Sequence, residues 1–359
     1  MRILVLGASG MVGQAILRNL RSVQDRKDII CAVGRTYLAE REHPDVLWRR
    51  ADLRYRSQVR ALYQEIDPEV VYLAAAKVGG IVANASAPAD FAADNLLVHT
   101  NCIVEAAEAG VQRMVVLGST CAYPRNAPQP LREEHLGTGP LEQTNRAYAT
   151  AKLAAVELCR AYNGQHGTEY VVPMCSNLYG THDSFHLQGG HLLPMLVRKM
   201  LLARWLDEGR LATAAADLRV DPSQVRLVLD GVGIRPGSIT LWGTGRPRRE
   251  VLHVDDAAAA CVLLGELPGL SGVLQAWGHA HVNVGTGQDF LVKEVARVVA
   301  DAVGYRGSIL WDGGVFPDGT PRKLTCSARM QALGWGGSVG LAEGIGQLVR
   351  WYEDQSGGC

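Results

Sequence analysis

Apolar positions in the first half of the chain fall into two alternating kinds of segment. Short β-branched runs at 2–6, 29–33, 70–74, 114–117 and 170–173 read as strands. Between them, 11–21, 57–66, 89–109 and 147–163 carry apolar residues at helical spacing. This alternation predicts an α/β fold, a doubly wound parallel sheet covered by helices on both faces. Further on, 192–206 reads as a helix, 239–242, 253–266 and 281–284 return to strand and helix character, and 293–303 is an amphipathic helix. A polar stretch at about 207–236, punctuated by Asp and Gly, breaks the pattern and reads as a helical insert or a lid. The expected division is a larger domain over 1–177 plus 253–287, and a smaller C-terminal substrate domain over 178–252 plus 288–359 that carries the insertion.

Composition narrows the class. The 359 residues can bury a sizeable core. With 36 basic and 36 acidic side chains, charge offers no case for nucleic acid. Eight cysteines, at 31, 102, 121, 159, 175, 261, 326 and 359, form no C-x-x-C pair or zinc spacing, so free thiols and no metal are expected. The opening apolar run 1–6 ends at Gly7 without the features of a signal peptide, which favours a cytoplasmic protein. The longest weakly polar stretch, 70–87, is broken by Lys77, Gly79, Gly80 and Asn84, too polar for a bilayer span.

The first candidate chemistry follows the first strand. Gly7, Ser9, Gly10, Met11, Val12 and Gly13 lie in GASGMVG, which opens a helix. Glycines there permit a tight turn and close approach to a pyrophosphate, and the helix N-terminus adds positive potential. An ordinary glycine turn is the competing reading, but the position at the head of a βα repeat favours a dinucleotide. An NAD-selective site usually places an acid after the second strand; this chain has Gly34, Arg35 and Thr36 there. A guanidinium matches phosphate with paired hydrogen bonds, so Arg35 points to the 2′-phosphate of NADP rather than to a solvated surface role. Asp52 is read as an acceptor for the adenine amino group or, equally, as a helix N-cap.

The second candidate is Ser119, Tyr148 and Lys152. A phenol titrates near about 10 and needs its anion stabilised to exchange protons at neutrality. Lys152, at i+4, lies on the same helix face and supplies positive charge. Ser119 follows a strand, at the carboxyl end of the sheet where such folds hold ligands.

These motifs resemble the extended short-chain dehydrogenase/reductase family of nucleotide-sugar enzymes, with a Rossmann cofactor domain. Longer strings are similar to its GDP-L-fucose synthase branch: LAAAKVGGIVAN at 73–84, PADF at 88–91, GSTCAYP at 118–124, NLYG at 177–180, Arg249 with Glu250, HVDD at 253–256 and DGTPRK at 318–323. The resemblance runs over most of the chain. It implies NADP(H) as cofactor, with Leu53, Ala74, Ala75, Ala76, Asn177, Leu178 and His191 joining the residues above at the cofactor. It implies a 3,5-epimerase/4-reductase that takes GDP-4-keto-6-deoxy-D-mannose or a close analogue to a GDP-L-sugar. Cys121 then serves as base and His191 as acid, with His182 and His186 as competitors in the same loop. For Cys121 alone, a buried packing thiol is the ordinary reading. Lys199 or its neighbour Arg198, Arg249 and Lys323 fall where the family binds the diphosphate, and Trp242 where it faces the base or sugar. A homodimer through the helices at 89–109 and 147–163 is implied as well.

Two departures stand out: the length between Pro194 and Trp242, and Cys326 where the family often has Asp. The nearest rival activity is a GDP-hexose 3,5-epimerase, for example on GDP-mannose, that returns its hydride and consumes no NADPH. A non-catalytic NADP-binding regulator of the same fold is a remoter reading, because this chain keeps both Tyr148 and Lys152.

Overall fold

The computed structural model describes residues 1–22, 27–35, 43–314 and 318–356; Thr36 and Cys359 lie outside them. The chain runs β1 (Arg2–Leu6), α1 (Met11–Ser22), β2 (Ile29–Gly34), β3 (Leu47–Arg50), α2 (Arg56–Ile66), β4 (Val70–Leu73), α3 (Ile81–Ser86), α4 (Pro88–Glu108), β5 (Arg113–Val116), α5 (Arg146–His166) and β6 (Glu169–Cys175). It continues with β7 (Asn177–Tyr179), α6 (Leu192–Asp207), α7 (Leu211–Leu218), α8 (Val225–Gly231), β8 (Ile234–Arg235), β9 (Ser238–Trp242) and β10 (Arg248–His253). Then come α9 (Val254–Glu266), α10 (Leu270–Trp277), β11 (His281–Val284), β12 (Asp289–Leu291), α11 (Val292–Val303), β13 (Ser308–Asp312), β14 (Arg322–Lys323), α12 (Ala328–Ala332) and α13 (Leu341–Ser356). The expected strands and helices of the first half are present with small boundary shifts. The helix anticipated at 89–109 starts at Pro88, whose fixed φ suits a first helical turn, and a separate short helix, α3, precedes it.

Seven strands form one parallel sheet in the order β11-β6-β5-β4-β1-β2-β3. Both faces are covered, so strands such as β4 are buried along their whole length. Ile3 and Val5 pack toward α1 and α9, while Leu4 and Leu6 pack toward α2, α4 and α5. The chain leaves β1 toward β2 on one side and returns to β4 on the other. The crevice between the carboxyl ends of β1 and β4 is thus a topological switch point, where such sheets bind ligands.

A second core gathers α6, α7, α8, α11 and α13 with the three-stranded sheet β13-β9-β8. The stretch 207–236 belongs to it: Ala214, Ala215, Val225, Leu229 and Ile234 are buried there. It is a packed helical segment, and nothing about its burial resembles a lid. Strand β10 links the two regions, pairing with β7, β12 and β14. Met330 and Trp335, late in the chain, pack with the large sheet. Among the described residues no single helix is long and apolar enough to cross a membrane.

Candidate active site

The switch-point crevice encloses about 380 Å³ and is lined by Gly7, Ser9, Gly10, Arg35, Asp52, Leu53, Ala74, Ala75 and Ala76. Its shape depends on two glycines. Gly7 has φ +86°, and a Cβ there would lie 2.5 Å from the Ala75 nitrogen. A Cβ on Gly13 would lie 2.3 Å from the Gly7 carbonyl oxygen. Together they let the turn after β1 press against the segment after β4 and let α1 start at the crevice floor. Met11, Val12 and Gly13 occupy the first turn of α1, whose N–H groups have no intrahelical acceptor. Glycine cradle, helix N-terminus and the exposed Arg35 together fit a dinucleotide with a phosphorylated ribose.

Asp52 does not cap α2, whose N-cap is Tyr55. Its carboxylate instead pairs with Arg54 at 2.6 Å, and Arg54 also reaches Asp94 at 3.2 Å. The hydrogen bond from Arg54 holds the Asp52 carboxyl below the usual carboxylate range. Asn177 lies in β7 with its amide donating to the Glu250 carbonyl at 2.8 Å, and Leu178 follows it in the strand.

The sheet's carboxyl end also carries the second constellation. After β5 the chain makes a tight turn at Thr120–Ala122, in which the Ser119 Oγ accepts from the Cys121 N–H at 3.2 Å. That bond fixes both side chains at one corner. Tyr148 stands in the first turn of α5 and Lys152 one turn later on the same face, its ammonium 5.9 Å from the Tyr148 ring centroid. Lys152 is 1% exposed and donates to the Leu117 carbonyl and toward His99 Nε2 of α4 at 3.3 Å. Burial pulls its pKa down to about 8, against smaller opposing effects of Cys175 and Cys121. Burial also raises the Tyr148 phenol, with the charge of Cys121 adding and a hydrogen bond with Ser119 opposing. The sequence anticipates a lysine that eases phenol ionisation. In the folded protein desolvation dominates instead and raises the phenol, favouring the protonated form that a donor needs.

Cys121 and His191 lie close enough that each feels the other's charge. Burial raises the Cys121 thiol, but the charge of Lys323, hydrogen bonds with Ser119 and Lys323, and the charge of His191 more than offset it, so the net shift is downward. His191 precedes α6, and its Nδ1 lies 3.4 Å from Asp183 Oδ1. Burial opposes the charged imidazole, yet the hydrogen bond and charge of Asp183, with Cys121 adding, raise its pKa overall. Of the competing histidines, His182 lies tilted against Trp351, ring centroids 5.1 Å apart, and His186 Nδ1 accepts backbone N–H bonds from Gln188 and Gly189. Asp183, eight residues before His191 in the same polar loop, and His99, inside a helix of ordinary periodicity, are the members of this cluster that pattern reading misses.

The cationic residues separate by environment. Arg198 is held by Asp217 at 2.8 Å and by the Phe185 carbonyl at 3.2 Å, so it anchors α7 to α6. Lys199 donates to the Thr240 carbonyl at 2.8 Å and lies 6.0 Å from the ring of Trp242, which is 36% exposed. Burial lowers Lys199 to about 8 and also lowers Arg249, whose guanidinium donates to the Arg248 carbonyl at 2.8 Å. Lys323, on β14 beside Arg249, points its ammonium at the Cys121 sulfur, 3.5 Å away. The described cysteines are all free.

Comparison with known proteins agrees with this geometry. Residues 3–285 match the family described as NAD dependent epimerase/dehydratase. The chain is 40% identical over 352 residues to the probable GDP-L-fucose synthase 1 of Oryza sativa subsp. japonica, covering 98% of this chain and 92% of that protein. It is 37% identical to the GDP-L-fucose synthase of Escherichia coli (strain K12), covering 98% of this chain and 96% of that one. Its fold superposes on a GDP-D-glycero-L-gluco-heptose synthase of Campylobacter jejuni, solved in the presence of NADPH, with a TM-score of 0.86, 30% identity and 98% of each chain covered. A cofactor crevice at the switch point, a Tyr–Lys pair at the sheet's carboxyl end and similarity along nearly the whole chain lead to one conclusion: the chain belongs to the NAD dependent epimerase/dehydratase family.

Proposed function

We propose that this protein is a GDP-sugar 3,5-epimerase/4-reductase that uses NADP(H) and converts GDP-4-keto-6-deoxy-D-mannose, or a close analogue, to GDP-L-fucose or a related GDP-L-sugar. The observation that carries the reading is that Cys121 and His191 lie close enough to feel each other's charge, with Ser119 hydrogen-bonded at the Cys121 turn and Tyr148 within reach of both Ser119 and the Cys121 charge. A reductase alone needs only the serine, tyrosine and lysine; a second acid–base pair serves inversion of carbons next to the ketone. The named relatives support the same reading.

The ketone at carbon 4 acidifies the hydrogens at carbons 3 and 5. Cys121, as thiolate, takes a proton from one face while His191, whose charged form Asp183 favours, returns one from the other. Ser119 and Tyr148 hydrogen-bond the carbonyl oxygen and steady the negative charge that develops there. Bound in the crevice, NADPH supplies the hydride for carbon 4. Tyr148 then protonates the oxygen, and the nearby Lys152 ammonium limits the cost of the phenolate left behind. Gly7, Ser9, Gly10 and the first turn of α1 hold the cofactor pyrophosphate, Arg35 its 2′-phosphate, and Asp52, Leu53, Ala74, Ala75, Ala76, Asn177 and Leu178 its flanks. Lys199, Arg249 and Trp242 receive the GDP moiety. The cofactor domain over 1–177 plus 253–287 and the substrate domain over 178–252 plus 288–359, whose Met330 and Trp335 pack back on the large sheet, meet at this cleft, and the exposed Leu96 and Leu97 on α4 suit a homodimer contact.

The test is incubation with GDP-4-keto-6-deoxy-D-mannose and NADPH, following reduced-nicotinamide absorbance and the product by NMR. Stoichiometric oxidation with carbons 3 and 5 inverted is expected. Turnover of GDP-mannose with no net oxidation would replace this reading with the hydride-returning epimerase.

A further inference from the structure

Lys323 stands in a rigid frame. Strand β14 pairs in parallel with β10, Arg322 opposite Arg248 and Lys323 opposite Arg249. On the far side, the Leu324 N–H donates to Gln129 Oε1 at 2.8 Å and its carbonyl accepts from Leu131 N at 2.7 Å; next along, Thr325 N donates to Glu250 Oε2 at 2.8 Å. Side chains alternate along a strand, so Arg322 turns outward to Asp289 while Lys323 turns inward. Its ammonium meets the Cys121 sulfur at 3.5 Å.

We propose that Lys323 is the counter-ion that keeps Cys121 as a thiolate before any sugar binds, a positioning role distinct from holding the diphosphate. The inference deepens the proposed function, in which Cys121 is the base. Every charged element around the sulfur bears on the assignment. Tyr148 and Lys152 face it from α5, His191 from the start of α6, Arg249 from β10 and Lys323 from β14. Lys152 is committed to the Leu117 carbonyl and His99, Arg249 to the Arg248 carbonyl, and His191 to Asp183. Lys323 is the cation that donates a hydrogen bond to the sulfur itself, and its charge is the largest of the effects that favour the thiolate. In the reaction the thiolate takes a proton from the carbon beside the ketone. The S–H bond forms, the C–H bond breaks and the electron pair passes to the carbonyl oxygen.

The test measures iodoacetamide alkylation of the full-length protein, with NADP present and no sugar, as a function of pH, with peptide mapping of the alkylated cysteine. In the wild type, Cys121 should react with a midpoint below that of an ordinary thiol, about 8.5, and faster than partly exposed Cys326. K323M should move the Cys121 midpoint up by at least one pH unit, cutting the rate at pH 7.5 roughly tenfold, and K323R should restore most of it. An ordinary midpoint in the wild type overturns the proposal without any variant. So does a K323M profile that matches wild type while only the KM for the sugar nucleotide rises, which would leave Lys323 a diphosphate ligand. Because no sugar is present, failure of the proposed reaction in the product assay leaves this readout unaffected, and the two readings fall separately.

Discussion

At the cofactor crevice the decisive contacts are made by backbone and come from short consecutive stretches, residues 7–13 and 74–76. At the chemical end they are made by side chains from residues 119, 121, 148, 152, 183, 191, 249 and 323, which five different parts of the fold bring together. The first end tolerates little change in volume, and its charged groups, Arg35 and the Asp52–Arg54–Asp94 pairs, sit at its rim. The second end is governed by charge: the Cys121 thiol, Tyr148 phenol, His191 imidazole and Lys152 ammonium are all moved from their ordinary titration by burial and by neighbouring groups. Shape is set locally, and reactivity is set by long-range assembly.

That contrast is breakable at both ends. Tyr148→Phe removes the proton donor and should lower kcat for reduction by roughly 10²–10⁴-fold with little change in NADPH affinity, read by steady-state kinetics and fluorescence titration. Near-normal turnover would remove Tyr148 from its role. Gly13→Ala drives a methyl against the Gly7 carbonyl and should cost about 1–3 kcal/mol of stability in urea unfolding, with weakened cofactor binding; an unchanged midpoint would mean that α1 can shift freely. Arg35→Ala should reduce kcat/KM for NADPH about tenfold relative to NADH, the loss of charge-assisted hydrogen bonds to phosphate. Equal losses with both cofactors would place the 2′-phosphate elsewhere.

Two smaller effects probe the charged end. Asp183 raises His191, so Asp183→Asn should lower the imidazole pKa and move the basic limb of epimerisation, followed by solvent deuterium incorporation, to lower pH. An unmoved limb would detach Asp183 from the acid. Lys152 is depressed to about 8, so its ammonium is present below that pH and is lost above it. The saturated rate of reduction should therefore fall by about half as pH rises to about 8. Lys199, also near 8, should affect the KM for the sugar nucleotide instead, so a limb seen only in kcat/KM would point to Lys199.

Much of this was open to inspection in the linear chain. Strands buried on both faces read as continuous β-branched runs, and α1 and α11 read as helices because their apolar stripes follow the helical period. Strand β10 did not, because Arg248, Arg249 and Glu250 look like a polar loop until Asp289, Thr325 and Gly287 supply their partners. The 207–236 stretch, with its scattered charges, left a helical insert and a lid both open, and only the burial of its alanines and Val225 in the second core decides for the packed segment. Asp52 illustrates the same limit: neither reading of it from sequence foresaw Arg54 taking its carboxylate.

The sequence by itself determined the alternation of strands and helices, the glycine turn and the placing of Tyr148 and Lys152 on one helix face, because each is written in neighbouring residues whose spacing dictates local geometry. The tertiary structure alone decided which charges meet. It set Arg198 on Asp217 and Lys199 beneath Trp242, turned Asp183 to His191 and brought Lys323 to a sulfur 202 positions away. The physical reason is that Coulomb and desolvation effects depend on distance through the folded protein and on loss of water, and neither quantity exists along an extended chain.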